Sequence, residues 1–197
     1  MTDCVFCRPS DFGIRKLRFE DKKGYWYVVV PSEIGTFGQV LLIVRKMEWE
    51  KEHISDISDP KLLSDKKRLL SIISGIHEIS NRLARGLTDQ RGRKVEKAYV
   101  LTQCEGENSH LHFQFLPRYE GDADSNEFLY NCELEEARWQ DPPKLPPSKR
   151  ITRGKRLVET YARLLGEDCF TYPRKVKSAM MNQAVQKLND VLGHTQN

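Results

Sequence analysis

The chain has 197 residues, of which 39% are hydrophobic and 30% charged, and a formal net charge of +4. This composition belongs to the soluble globular class, with length for one domain and an extension or two small domains. No apolar run reaches the ~18 residues of a membrane-spanning helix. Met1-Thr2-Asp3-Cys4 carries no basic-then-apolar leader, so a cytoplasmic protein is expected. The five cysteines are an odd set, with Cys104, Cys132 and Cys169 scattered, which excludes a secreted disulfide framework.

Cys4-Val5-Phe6-Cys7 opens the chain. Its spacing fits a zinc knuckle, a redox pair or two unrelated thiols. Tyr25 to Val30 is rich in aromatic and β-branched residues and reads as a strand, stopped by Pro31. Val40-Leu41-Leu42-Ile43-Val44 is a continuous apolar run, suited to a strand covered on both faces. Asp59-Pro60 then starts a helix, with Asp as N-cap and Pro in the first helical position. Leu62, Leu63, Leu69, Leu70, Ile73, Ile76, Ile79, Leu83 and Leu87 recur at three- and four-residue steps, and Gly86 lies near the end. Such a helix can cover one face of the sheet.

Lys97 to Gln103 reads as a further strand, and residues 104–109 as a short loop returning the chain antiparallel to it. The returning segment, His110-Leu111-His112-Phe113-Gln114-Phe115, is the most informative in the chain. Read as a strand of period two, it puts His110, His112 and Gln114 on one face and Leu111, Phe113 and Phe115 on the other. A neutral imidazole is a nucleophile or a metal ligand near pH 7. Pro117-Arg118-Tyr119 is expected to end the strand.

This strand resembles the signature of the histidine triad (HIT) superfamily, in which three histidines alternate with apolar residues, often before Pro-Arg. Gln114 stands where the third histidine of the hydrolases would be. His-x-His-x-Gln is similar to the transferase branch that includes galactose-1-phosphate uridylyltransferase and diadenosine tetraphosphate phosphorylase. The resemblance spans roughly residues 4 to 119 and includes the two strands and loop from Val28 to Lys46.

The resemblance implies an α+β fold: a HIT-like antiparallel sheet with a long packed helix over residues 1–141. A basic helical extension over 142–197 lies outside the resemblance. It implies a nucleotidyl transferase or hydrolase acting through a covalent nucleotidyl-His112 intermediate. Gln114 supplies an amide to phosphoryl oxygen but cannot change protonation near pH 7. Gln103, Asn108, Ser109 and Arg118 are further candidates for substrate contact. Glu107 occupies the position where relatives commonly carry a phosphate-binding hydroxyl, leaving Asn108 and Ser109 as nearby donors.

Zinc-bearing members of the superfamily join an N-terminal Cys-x-x-Cys to a histidine after the leucine-rich strand and to the first histidine of the motif. The matching residues are Cys4, Cys7, His53 and His110, and a closed Zn²⁺ site of this kind is structural. Six residues, Met47 to Glu52, separate Arg45-Lys46 from His53, where relatives place the histidine directly after the basic pair.

Asp141 to Pro147 is a proline-rich boundary. Helical segments are expected near Lys155–Leu165 and Arg174–Leu192. From Lys144 to Lys177 there are ten Lys and Arg against three acids. Such a run is a solvated face or an electrostatic patch for polyanions. The expected partner is a nucleotide or nucleoside-phosphate substrate. A homodimer is compatible with the sequence, nucleic acid is the less favoured partner, and no membrane is expected. The competing readings are a zinc-stabilised nucleotide-binding or interaction module with little turnover, and a nucleic-acid-associated protein using the basic extension.

Overall fold

Five strands form one antiparallel sheet in the order β1-β2-β3-β5-β4. The computed structural model describes residues 4–9, 14–31, 34–102, 110–122, 127–129 and 174–193, and side chains in the last segment from residue 179. The strands are β1 (Arg15–Glu20), β2 (Trp26–Val30), β3 (Val40–Val44), β4 (Val95–Leu101) and β5 (His112–Tyr119). The expected strands at 25–30 and 40–44 form, and the histidine strand pairs antiparallel with the one before it.

The sheet has two unlike faces because β residues alternate. Trp26, Val28, Val30, Leu42, Val44, Phe113 and Phe115 belong to the main core. Helices α1 (Pro60–Ser64) and α2 (Lys66–Gly86) supply the opposing layer through Leu62, Ile72, Ile79 and Leu83. Each such side chain contributes about 1.5–3 kcal/mol on burial. Gly75 lets α2 approach the sheet closely: a Cβ there would lie 2.7 Å from the Trp26 ring. The other face carries Tyr27, Val29, Leu41 and Ile43, and Ile43 and Leu41 pair with His112 and Gln114.

Several expectations need correction. The single helix after Asp59 is two. Asp59 caps α1 as expected, accepting from the Lys61 N–H, but Asp65 then leaves helical geometry and caps α2 by accepting from Arg68 N–H. The buried stripe of α2 runs through Arg68, Ile72, Gly75, Ile79 and Leu83, whereas Leu63, Leu70 and Ile73 are exposed. The break resets the helical phase, so periodicity counted across it selects the wrong face.

The histidine strand begins at His112 rather than His110 and runs through Pro117 to Tyr119. Pro117 is tolerated because β3 ends its pairing at Phe115, leaving only β4 alongside. The Pro117 carbonyl points to the β3 side, where it accepts from Thr36 Oγ1, so the missing N–H also falls on the side without a ladder. Strand β1 was not expected from its charged sequence. Its Leu17 and Phe19 alternate inward while Arg15, Lys16, Arg18 and Glu20 face water.

Helix α3 (Arg174–Gly193) matches the expected last helix. Met181, Leu188 and Leu192 bury one stripe of it in the main core, and Ala184 is buried as well. Asn182 accepts from Arg15 of β1, and Arg82 of α2 donates to the Leu192 carbonyl at 2.7 Å. The segment Lys155–Leu165, the boundary at 141/142 and the basic run at 148–156 lie outside the described residues.

Candidate metal centre and nucleophile

Four residues from three separate segments meet at the end of β3. The ligand atoms of Cys4, Cys7, His53 and His110 all lie within 4.8 Å of one another. Cys4 Sγ is 3.2 Å from His110 Nδ1, and Cys7 Sγ is 2.9 Å from His53 Nε2. The His53 and His110 rings stack with centroids 4.4 Å apart. A tetrahedral site with ordinary Zn–S and Zn–N bonds has edges of roughly 3.3–3.8 Å, so small adjustments suffice. The set fits a metal ion, and its thiolate and imidazole donors favour a borderline-soft cation over Mg²⁺.

Local structure explains why the residues converge. The Cys4 carbonyl accepts from the N–H of Cys7 and of Arg8, folding the first two ligands into a tight turn. Leu111 N–H donates to the Ile54 carbonyl, and Val44 N–H to the Leu111 carbonyl, clamping His53 and His110 beside β3. The inserted segment Met47 to Glu52 is absorbed by a buried ion pair. Glu50 accepts from Arg68 of α2 at 2.6 Å and from the Met47 N–H at 2.8 Å. Arg68 also donates to the Arg45 carbonyl at the end of β3. His53 therefore reaches the cluster despite the longer connection.

The two histidines carry opposite tautomers. A carbonyl oxygen only accepts, so the His110 ring donates Nε2–H to the Val44 carbonyl and turns the Nδ1 lone pair toward Cys4. His112 donates Nδ1–H to the His110 carbonyl at 2.9 Å, which places its lone pair on Nε2. One ring thus has the tautomer of a metal ligand with a fixed outer partner, the other that of a neutral imidazole with its lone pair on Nε2.

Burial favours the neutral form of both rings. It pulls the His110 pKa down to about 4, against the Val44 carbonyl bond that raises it. Burial also lowers that of His112, opposed by its bond to the His110 carbonyl, and burial lowers His53 with help from the Lys46 charge. Cys7 is pushed up to about 11, first by burial and then by the neighbouring Cys4. A bound cation must therefore displace a proton from that thiol.

Gln114 lies on the same face as His112, between Leu41 of β3 and Leu101 of β4. Arg118 shares the face but stands six residues along the strand from His112, roughly 20 Å away. It is paired with Glu96 at 2.8 Å. Gln103, Asn108 and Ser109 lie outside the described residues, as does Glu107. Two apolar clusters flank His112 and Gln114: Ile14, Tyr27, Val29, Leu41 and Ile43 with Phe6 on one side, and Leu116 and Phe128 with Leu101 on the other.

Phe6 was not anticipated from the sequence. It sits between the two cysteines, and its ring lies 4.8 Å from that of His112 and 5.8 Å from that of His110. Tyr27 OH donates to its carbonyl. The aromatic inside Cys-x-x-Cys was the available signal. Arg68 and Glu50 offered none, since opposite charges 18 residues apart are ordinary.

A HIT-like protein involved in cell-cycle regulation from Bartonella henselae, solved with an unknown ligand, matches over 96% of both chains with a TM-score of 0.51 and 13% identity. The fold is HIT-like. A zinc-bound histidine triad family protein from Mycobacterium smegmatis is 21% identical, with a TM-score of 0.40 over 82% of this chain and 95% of that one. No family model matches the sequence, and no curated protein does. On this HIT-like sheet the motif strand β5 is flanked on both sides, so His112 and Gln114 stand on rigid backbone.

Proposed function

We propose that the protein transfers or hydrolyses nucleotidyl groups through a covalent intermediate on His112, with a structural Zn²⁺ held by Cys4, Cys7, His53 and His110. The observation that carries the reading is the tautomer of His112, fixed at the start of β5. His112 Nδ1–H is tied to a carbonyl, leaving Nε2 as a neutral nitrogen nucleophile on a fixed base. Nε2 attacks the α-phosphorus of a nucleoside phosphoanhydride or phosphoester. An N–P bond forms as the P–O bond to the leaving group breaks, and the leaving oxygen takes the electron pair. The ring gains positive charge, which the Nδ1–H···O=C bond stabilises without moving its proton. Water, phosphate or another acceptor then attacks phosphorus from the vacated side, and His112 is released.

Gln114 suits this chemistry as an amide donor to phosphoryl oxygen. A glutamine supplies no proton to the leaving group, which favours leaving groups that depart as stable anions, and transfer over hydrolysis. The His-x-His-x-Gln pattern resembles that of the uridylyltransferase and phosphorylase branch. The metal, when bound, supplies cross-linking of the N-terminus and the His53 segment to β5. Four protein ligands leave no position for a reacting water.

Intact-protein mass spectrometry after mixing with dinucleoside polyphosphates or nucleotide sugars tests the reading. A nucleotidyl adduct is expected in the wild type and absent in His112→Ala. Nucleotide binding with neither adduct nor turnover would instead identify a binding module.

A further inference from the structure

The site face holds a second feature that the nucleotidyl chemistry does not absorb. A cavity of about 280 Å³ lies beside the Cys/His cluster, against Phe6, Cys7 and His110. Lys16, Arg45 and Lys46 line it, and among the described residues no carboxylate does. Its aromatic part is Tyr27, with the Arg45 guanidinium 4.9 Å and the Lys16 ammonium 5.5 Å from the ring centre. Three cations, one from β1 and two from the segment just after β3, are thus gathered on one small hollow.

The charge is only partly answered. Glu20, outside the cavity lining, bonds Lys16 at 2.7 Å and Arg45 at 2.6 Å. The Lys16 hydrogen bond holds its carboxyl below the usual range, so it is ionised at neutral pH. Among the described residues, two cations sharing one acid, plus Lys46, leave an excess of two positive charges. Arg45 Nε is buried without a hydrogen-bond partner among the described residues, an unmet donor of the kind that usually has a partner. A divalent ion bound by two thiolates and two neutral imidazoles adds no net charge, so metal loading leaves the excess in place.

We infer that this cavity is an anion subsite that takes the phosphoryl group of a small second substrate, delivered next to the nucleotidyl centre. The occupant is small because the volume falls below the ~300–1,000 Å³ that encloses a drug-sized ligand, which admits inorganic phosphate or a compact phosphomonoester and excludes a second whole nucleotide. It is phosphoryl because Arg and Lys donors arranged around one hollow match tetrahedral oxyanions. It belongs to the same reaction because Phe6 is a shared wall, one side on the cavity and its ring 4.8 Å from His112. Only this role for the occupant rests on the proposed nucleotidyl transfer; the binding site itself does not.

The test measures binding, independent of turnover. Inorganic phosphate and glycerol phosphate are titrated by calorimetry into the full-length, zinc-loaded wild type and into His112→Ala. Both proteins should bind at least one of the two, with equal affinity, and added salt should weaken binding. The tighter of the two probes distinguishes a free-phosphate acceptor from a phosphomonoester. Arg45→Gln with Lys46→Gln should weaken binding at least about tenfold, as expected for lost charge-assisted bonds, while Arg45→Lys with Lys46→Arg should retain most of it. Glu20→Gln should tighten binding several-fold, an opposite sign that loss of structure does not produce. Thermal melts check that each variant is folded. No binding of either probe at about 10 mM, or unchanged affinity in the Arg45/Lys46 double variant, overturns the subsite. A bound phosphate with no adduct on His112 would sink the nucleotidyl reading and leave the subsite standing.

Discussion

Arg68→Met removes one partner of the ion pair that shapes the segment leading to His53. The pair is almost fully buried, with 2% of the Arg68 and 5% of the Glu50 side chain exposed. Methionine fills much of the volume of the arginine stem, so the main loss is electrostatic. Among the described residues, Glu50 is left buried beside the main core with only the Met47 N–H as a donor, and the Arg45 carbonyl loses its guanidinium. Breaking a buried pair from one side costs about 3–5 kcal/mol. For a chain of this length that corresponds to a fall in melting temperature of roughly 6–20 °C. The double variant Arg68→Met/Glu50→Met removes both charges and should recover most of that loss. Chemical denaturation of the four proteins gives the coupling directly. Metal competition with a chelator should show weaker binding in the single variant, because Glu50 and Arg68 set the path to His53. A loss below about 1 kcal/mol in Arg68→Met, or additive effects in the cycle, would refute the claim that this pair organises the loop.

Gly75→Ala should destabilise the fold despite a gain of about 1 kcal/mol in helix propensity, because the new Cβ meets the Trp26 ring at 2.7 Å and overpacking costs about 1–3 kcal/mol; a raised melting temperature would contradict the packing described. Asp89 is buried, which works against its charge, but the Arg93 side chain and the backbone N–H groups of Arg93 and Arg91 more than offset this and hold its carboxyl below the usual aspartate value. Its stabilisation is therefore complete above about pH 4 and is lost as pH falls through the lower folded value, so the stability gap between wild type and Asp89→Asn should narrow only in acid. Cys4→Ser and His53→Ala should each lower metal content and stability together, whereas His112→Ala should keep about one zinc per chain by elemental analysis.

The sheet and the face that carries His112 and Gln114 were legible because the signals were local and periodic. Val40 to Val44 is too apolar for anything but a doubly covered strand, and it is fully buried. Residues 110–115 alternate so strictly that the two faces followed directly. The Cys/His cluster was legible through the resemblance alone, since nothing in the spacing of Cys4, Cys7, His53 and His110 requires them to meet. Other features were hidden for physical reasons. Strand β1 looks like a charged loop until Leu17 and Phe19 are placed inward. The break at Asp65 depends on one capping side chain, and it moved the buried face of α2 from Leu70 and Ile73 to Ile72 and Ile79. Arg68 reads as a surface cation in sequence, and only its pairing with Glu50 makes its burial tolerable.

A closed four-ligand metal site is expected from sequence to be structural and separate from the nucleophile. The geometry argues for mechanical coupling between them. His110 is at once the proposed ligand, through Nδ1, and the carbonyl that fixes His112 Nδ1–H. Phe6 is held between two proposed ligands and packs on the His112 ring. Removing the metal frees the Cys4–Cys7 turn and the His110 ring together, so both supports of His112 loosen while the residue itself is untouched. Outer supports of this kind are typically worth 10–100-fold in activity. Metal removed from the folded protein with a chelator should therefore slow formation of the His112 adduct by about tenfold or more, and Phe6→Leu in the metal-loaded protein should slow it less. Readdition of Zn²⁺ should restore the rate. An adduct rate unchanged by chelation, in protein shown by elemental analysis to have lost its metal, would establish instead that β5 alone holds the nucleophile.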